Sequence, residues 1–117
     1  MSVEMVVMRA DDLVVGSLEP AGRRVGADEG EAQVSIRAFH QADDHAVGVW
    51  ECTPGGWNIV DRPDTEAVVI LSGRARLTTL GGEPVEVGAG DLVVLPQGWS
   101  GRWEILETCR KAYFVAG

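Results

Sequence analysis

Basic residues are scarce in this chain: 10 Lys and Arg stand against 18 Asp and Glu, a formal net charge of −8 over 117 residues. A nucleic-acid binder draws its affinity from neutralising phosphates, so that footprint is missing, and anionic lipid is disfavoured for the same reason. No apolar run approaches the roughly 20 residues of a membrane-spanning helix. The opening stretch MSVEMVVMRADD has no basic region ahead of its short apolar piece, as a secretory signal would. The expectation is a soluble, cytoplasmic protein that engages neither nucleic acid nor membrane. Cysteine is sparse too: Cys52 and Cys109 fall in no metal-type spacing and read as small core residues in a reducing compartment. Histidine is limited to His40 and His45, at either side of a polar connector. No helical periodicity, internal repeat, linker or low-complexity tract stands out.

What is present is short apolar segments separated by turn residues. The length suits one compact domain with a single core. Residues 1–31 form an N-terminal arm, turn-rich and acidic, with a short strand as one reading of residues 3–8. Residues 32–117 are the folded barrel. Ala32, Val34, Ile36 and Ala38 alternate with polar neighbours, the period of a strand with one buried face. AVGVWEC (46–52) is a second strand, residues 57–61 a third, and Thr65 opens TEAVVILSG, a β-branched run ended by Gly73. Further strands follow over residues 74–80, 85–87 and 92–95, with two closing strands over 102–106 and 111–115. Gly81-Gly82 signals a hairpin between the first two of these. The pattern is that of an all-β barrel or sandwich.

Two glycine spacings narrow this. Glu66 is followed by six residues and Gly73; Gly90 is followed by five residues and Pro96-Gln97-Gly98. These resemble the paired motifs of the cupin family. GVWECTPGGW (48–57), GDLVVLPQGWSGRWE (90–104) and ETCRKAYF (107–114) are similar to the small single-domain cupins grouped with the C-terminal half of ureidoglycine aminohydrolase and with ethanolamine-utilisation cupins. The resemblance implies a conical β-barrel, a double-stranded β-helix or jelly roll, with the N-terminal arm beside it. It also implies where a metal-binding cupin would place its histidines: at 59 and 61, or 60 and 62 if the turn is one residue shorter, and at 101. Ile59, Asp61, Val60, Arg62 and Gly101 stand there instead. The usual imidazole-rich donor set is therefore missing. No cofactor is expected, with a weakly held divalent ion at Glu66 and Asp61 as the remaining alternative.

Strand parity then assigns the interior. With Glu66 inward, Val68 and Ile70 share its face; Trp57, Ile59 and Asp61 form a second inward set, and Trp103 and Ile105 a third beside Gly101. Two indoles, aliphatic walls and two carboxylates make up either a small-molecule pocket or a packed core. Glu66 is the candidate catalytic acid or base; its other readings are a structural acid accepting from Trp57, Trp103 or an arginine, and a remnant metal ligand. Trp50 and Glu51 read as packing and strand pairing, and Arg110-Lys111 as an exterior ion-pairing element. The functional expectation is a small-molecule-binding cupin without the usual metal-binding histidines, present as a homodimer. The alternatives are an enzyme acting on a small nitrogenous or carboxylate metabolite, as the resemblance to ureidoglycine aminohydrolase implies, and a non-catalytic scaffold.

Overall fold

The structure, a computed structural model, describes residues 3–117. It contains one five-residue helix and nine strands: α1 (Ala10–Val14), β1 (Glu19–Arg23), β2 (Ala27–Gly30), β3 (Gln33–Gln41), β4 (His45–Cys52), β5 (Gly55–Ile59), β6 (Thr65–Thr79), β7 (Pro84–Gly88), β8 (Leu92–Leu95) and β9 (Gly101–Ala116). All pairings are antiparallel. The sheet curls upon itself into the expected jelly-roll barrel.

Two long bent strands organise it. β6 and β9 pair from Thr65–Ala116 to Thr79–Gly101, with irregularities around Ser72 and Arg74. Each then serves different neighbours with its two halves. β9 takes β4 along residues 109–116 and β5 along 101–105, while β6 takes β8 and then β7 on its other edge. A strand of 15 or 16 residues can line two walls only if it bends, and bulges supply the bend. Gly73 sits in the irregular stretch at φ 79°, and a Cβ there would collide with the Thr108 carbonyl. The sequence reading places a break at Gly73 and two closing strands after residue 101. Both are instead continuous bent strands, because a bulge keeps the ladder running where a turn would end it.

The arm is more ordered than its turn-rich composition implies. β1 pairs β3 and β2 pairs β5, while residues 3–8 form no strand and α1 follows them. Arg110 ties α1 to the barrel: its Nε donates to the Leu13 carbonyl at 2.7 Å and its Nη2 to the Gly16 carbonyl at 2.6 Å. These are carbonyls at the helix C-terminal end and just beyond it, where a cation is favoured.

The core follows the inward parity of β4, β6 and β9. Val34, Trp50, Cys52, Trp57, Val68, Ile70, Ala75, Leu77, Leu95, Trp103, Ile105 and Cys109 cluster together. In β3 the burial of one face stops after Ile36: Ala38 keeps its register opposite Gly48 but is exposed, and a bulge follows between Ala38 and His40.

Candidate functional site

Of the residues that parity assigns inward, Trp57, Val68, Trp103 and Ile105 are 1–3% exposed and line the barrel, and Ile59 packs half-buried against their cluster. Asp61 does not join them. It lies beyond the end of β5 at φ 50°, exposed, with its backbone N–H bonded to Ser100 Oγ at 2.8 Å. Parity fails there because the strand has already ended and the chain turns.

Glu66 is buried at 6% exposure among partners. Lys111 Nζ donates to its Oε2 at 3.2 Å, and Arg62 Nη1 lies 3.5 Å from its Oε1. Cross-strand register explains Lys111. Ile70, Lys111 and Trp50 form one rung across β6, β9 and β4, so the lysine shares the face of Ile70 and Trp50. The reading of Arg110-Lys111 as an exterior pair is thus corrected: both are 6% exposed, Lys111 inside the barrel and Arg110 beneath the arm. The Lys111 ammonium stands 4.3 Å from the Trp50 ring centroid and 4.5 Å from that of Trp103. Trp57 stacks on Trp103 at 6.3 Å and 12°, and Trp50 meets Trp57 edge-on at 6.0 Å. Burial pushes the Lys111 ammonium below its ordinary pKa, while Glu66 acts to hold the proton on.

Two arginines complete the site. Arg24, between β1 and β2, holds its guanidinium 5.2 Å from the Trp57 ring centroid. Burial lowers its pKa, and the nearby Arg62 charge lowers it further. Arg62 is also bound to Asp64 at 3.0 Å, and its Nε is buried with no hydrogen-bond partner. Lys111 and Arg62 therefore face Glu66, with Asp64 beside Arg62 and Arg24 over the Trp57 ring. Tyr113, on the rung of Val68 and Gly48, adds a phenol raised above its ordinary pKa by burial and by Glu66.

A cupin-type metal does not fit this donor set. Both Glu66 oxygens are already engaged by cations, Ile59 and Gly101 offer no lone pair, and among the described residues no three His, Cys, Asp or Glu side chains converge. His45 cannot be recruited: it is on the outward parity of β4, with its ring 6.3 Å from that of Phe114. Sequence reasoning places Lys111 outside the barrel and does not name Arg24. For Lys111 a signal existed: had β9 been read as one strand, the parity of Trp103 and Ile105 runs on to Cys109, Lys111 and Tyr113. Arg62 is the occupant of the family position in the shorter-turn alignment. Arg24 had no signal, lying in an arm without periodicity. Grooves of about 450 and 380 Å³ lie elsewhere, the first beside Leu77, Val93 and Leu95 and the second beside Ile59, Thr78 and Arg102.

Comparison with known proteins agrees with this architecture. The model of the EutQ-like cupin domain matches residues 39–113, so the chain belongs to that family. A putative ethanolamine utilisation protein Q from Salmonella typhimurium superposes with a TM-score of 0.68 at 18% identity, covering 86% of this chain and 98% of that one. The EutQ protein of Clostridium difficile gives 0.64 at 15% identity over 73% of this chain, which spans 63% of that longer protein. The polyketide cyclase RemF from Streptomyces resistomycificus gives 0.69 at 20% identity, over 97% of this chain and 80% of that one. At these identities the likeness is one of fold. No curated protein matches the chain. Among the described residues no helix is long and apolar enough to cross a membrane.

Proposed function

We propose that this EutQ-like cupin binds a small carboxylate-bearing metabolite at the barrel mouth, through side-chain cations. The observation that carries the reading is the charge arrangement: Arg62 and Lys111 hold one buried carboxylate, Glu66, and Arg24 lies over the neighbouring Trp57 ring, in a chain of net charge −8. Asp64 offsets one of the three, leaving an excess positive charge, and the unpartnered Arg62 Nε is a donor awaiting an acceptor. A carboxylate placed between Arg24 and Arg62 satisfies that donor and relieves the repulsion between the two guanidiniums. The stacked Trp57 and Trp103 supply the apolar wall, so the ligand combines a carboxylate with a short apolar or planar body.

A thermal-shift screen of small carboxylates, ureides and amines tests this. A ligand at 100 times its Kd adds about 2.7 kcal/mol of stability. Stabilisation by carboxylates alone, lost in Arg24→Gln and in Arg62→Gln, is the expected result. Equal stabilisation by uncharged amides, or an undiminished shift in both variants, sinks the reading.

A second reading rests on Lys111. A desolvated lysine hydrogen-bonded to a carboxylate at 3.2 Å is a proton-transfer pair, with the ammonium as acid and the Glu66 carboxylate as base. It makes the protein an enzyme of a small nitrogenous or carboxylate metabolite. Turnover of such a compound that Lys111→Met abolishes, while carboxylate binding persists, supports it; unchanged turnover rejects it.

A further inference from the structure

The described histidines lie together on the outer side of the barrel, at the tip of the β3–β4 hairpin. His40 Nε2 and His45 Nε2 are 3.0 Å apart, and the ring centroids are separated by 5.0 Å. His45 Nδ1 is in turn 2.7 Å from Asp44 Oδ1. That contact fixes the tautomer. An ionised carboxylate only accepts, so His45 carries its proton on Nδ1 and presents the lone pair of Nε2, towards which His40 Nε2–H donates.

We propose that His40 and His45 form a two-imidazole site for a late first-row divalent cation, Cu²⁺ first and Ni²⁺ after it. Two nitrogens 3.0 Å apart, each at a metal–nitrogen distance of about 2.0–2.1 Å, subtend about 94° at the ion, the angle of adjacent positions in a tetragonal complex and narrower than a tetrahedron's. The carboxylate behind His45 is the arrangement that orients ligating histidines and strengthens them as donors. The rings now meet nearly end-on, and closing on an ion turns each by about 40° from the N–N line, a swing of two side chains at the surface. Binding replaces one hydrogen bond by two metal–nitrogen bonds: His40 gives up its Nε2 proton, which it regains on Nδ1 as the other tautomer. No third His, Cys, Asp or Glu converges among the described residues, so water or an external donor completes the coordination. Space exists for it. A groove of about 260 Å³ beside His40 is lined also by Glu4, Val6, Met8 and Val47.

The site is independent of the barrel interior. His45 takes the outward parity of β4, whereas Trp50 on the same strand faces Lys111. Titration of the tag-free chain with CuCl₂ and NiCl₂, followed by calorimetry, is expected to show one saturable Cu²⁺ per chain, tighter than Ni²⁺. Electron spin echo modulation of the Cu²⁺ adduct is expected to show two imidazoles. His40→Gln and His45→Gln each remove the saturable phase, Asp44→Asn weakens it about 10- to 100-fold, and Glu66→Gln leaves it unchanged. The substituted hairpin side chains are at the surface, and circular dichroism checks that each variant is folded. No saturable phase, one imidazole or none in the echo spectrum, or binding that survives His45→Gln overturns the proposal. Loss of the phase in Glu66→Gln alone places the ion in the barrel and overturns it equally.

Discussion

Glu66→Gln removes a charge from the barrel interior at nearly constant volume, and its cost is predictable from the geometry. Lys111 Nζ and Glu66 Oε2 are 3.2 Å apart, with side chains 7% and 8% exposed. Unit charges at that distance attract by about 5 kcal/mol at an effective dielectric constant near 20. Desolvating the two ions costs several kcal/mol each, so the intact pair stands near balance. Breaking it is not balanced. An uncharged amide in place of the carboxylate leaves Lys111 and Arg62 facing each other without their shared counter-charge, and the expected loss is ~3–5 kcal/mol. Lys111→Met differs, because Glu66 keeps Arg62 at 3.5 Å. That variant forfeits the ammonium's contacts with Trp50 and Trp103, worth up to ~2 kcal/mol when desolvated, and the expected loss is ~1–3 kcal/mol. In the double variant Glu66→Leu/Lys111→Met, Arg62 retains Asp64 and the interior becomes apolar, so stability returns to within ~2 kcal/mol of the parent. Urea denaturation followed by tryptophan fluorescence at fixed pH compares the parent with all three variants, with a constant m-value as the check on two-state behaviour. A Lys111→Met cost equal to or above that of Glu66→Gln would refute the assignment of Arg62 as second partner.

Three further outcomes follow from the packing. Burial raises the thiols of Cys52 and Cys109 to about 11 from an ordinary value of 9.0; their contribution is complete below pH 9 and lost as pH climbs through about 11, by ~2–3 kcal/mol per thiol. Lys111, shifted down, works in the opposite direction over its own range, so the cysteine effect is read as the difference between the parent and Cys52→Ala/Cys109→Ala in alkaline urea melts. Arg110→Met should cost ~2–4 kcal/mol through the lost charged hydrogen bonds to Leu13 and Gly16, and hydrogen exchange over residues 10–16 should accelerate; unchanged protection there would mean that Arg110 does not hold the arm. Trp103→Ala, at 1% exposure and packed on both Trp57 and Lys111, should cost ~3–5 kcal/mol, with collapse of the near-ultraviolet dichroism of the indole cluster as its signature.

The barrel was legible because its signals are local. Turn residues, alternation and the Glu66–Gly73 and Gly90–Gly98 spacings each lie within one segment, and the inward positions of Trp57, Val68, Trp103 and Ile105 follow from the two-residue period alone. Parity misleads where it runs past a discontinuity or stops short of one. It fails at Asp61, since β5 ends at Ile59 and the next residues turn. Dividing β9 into two strands hides the inward parity that Lys111 shares with Trp103 and Ile105. The composition around residue 107 is polar enough to suggest a turn, yet the ladder passes through it. Arg24 reaches the barrel because β2 pairs with β5, a contact between segments nearly 30 residues apart that no local pattern announces.

The chemistry of the residues at the family's ligand positions gives the site its direction. An imidazole offers a lone pair to a metal ion; a guanidinium offers none, and neither does an ammonium. With Arg62 in the shorter-turn position and Lys111 across the barrel, the side chains that converge on Glu66 are donors of hydrogen bonds only. A divalent ion entering there would meet two fixed cations and a carboxylate already saturated by them. A carboxylate ligand would meet the reverse: two or three donors, one of them Arg62 Nε without a partner, beside an indole wall. On the proposed reading, the exchange of lone pairs for N–H groups makes the mouth suit an anion and not a cation, without altering the barrel. Glu66 keeps a role in both cases. In this chain it holds Lys111 and Arg62 in place and limits the charge they present, so that a carboxylate ligand of the proposed kind would compete with it for the same two cations.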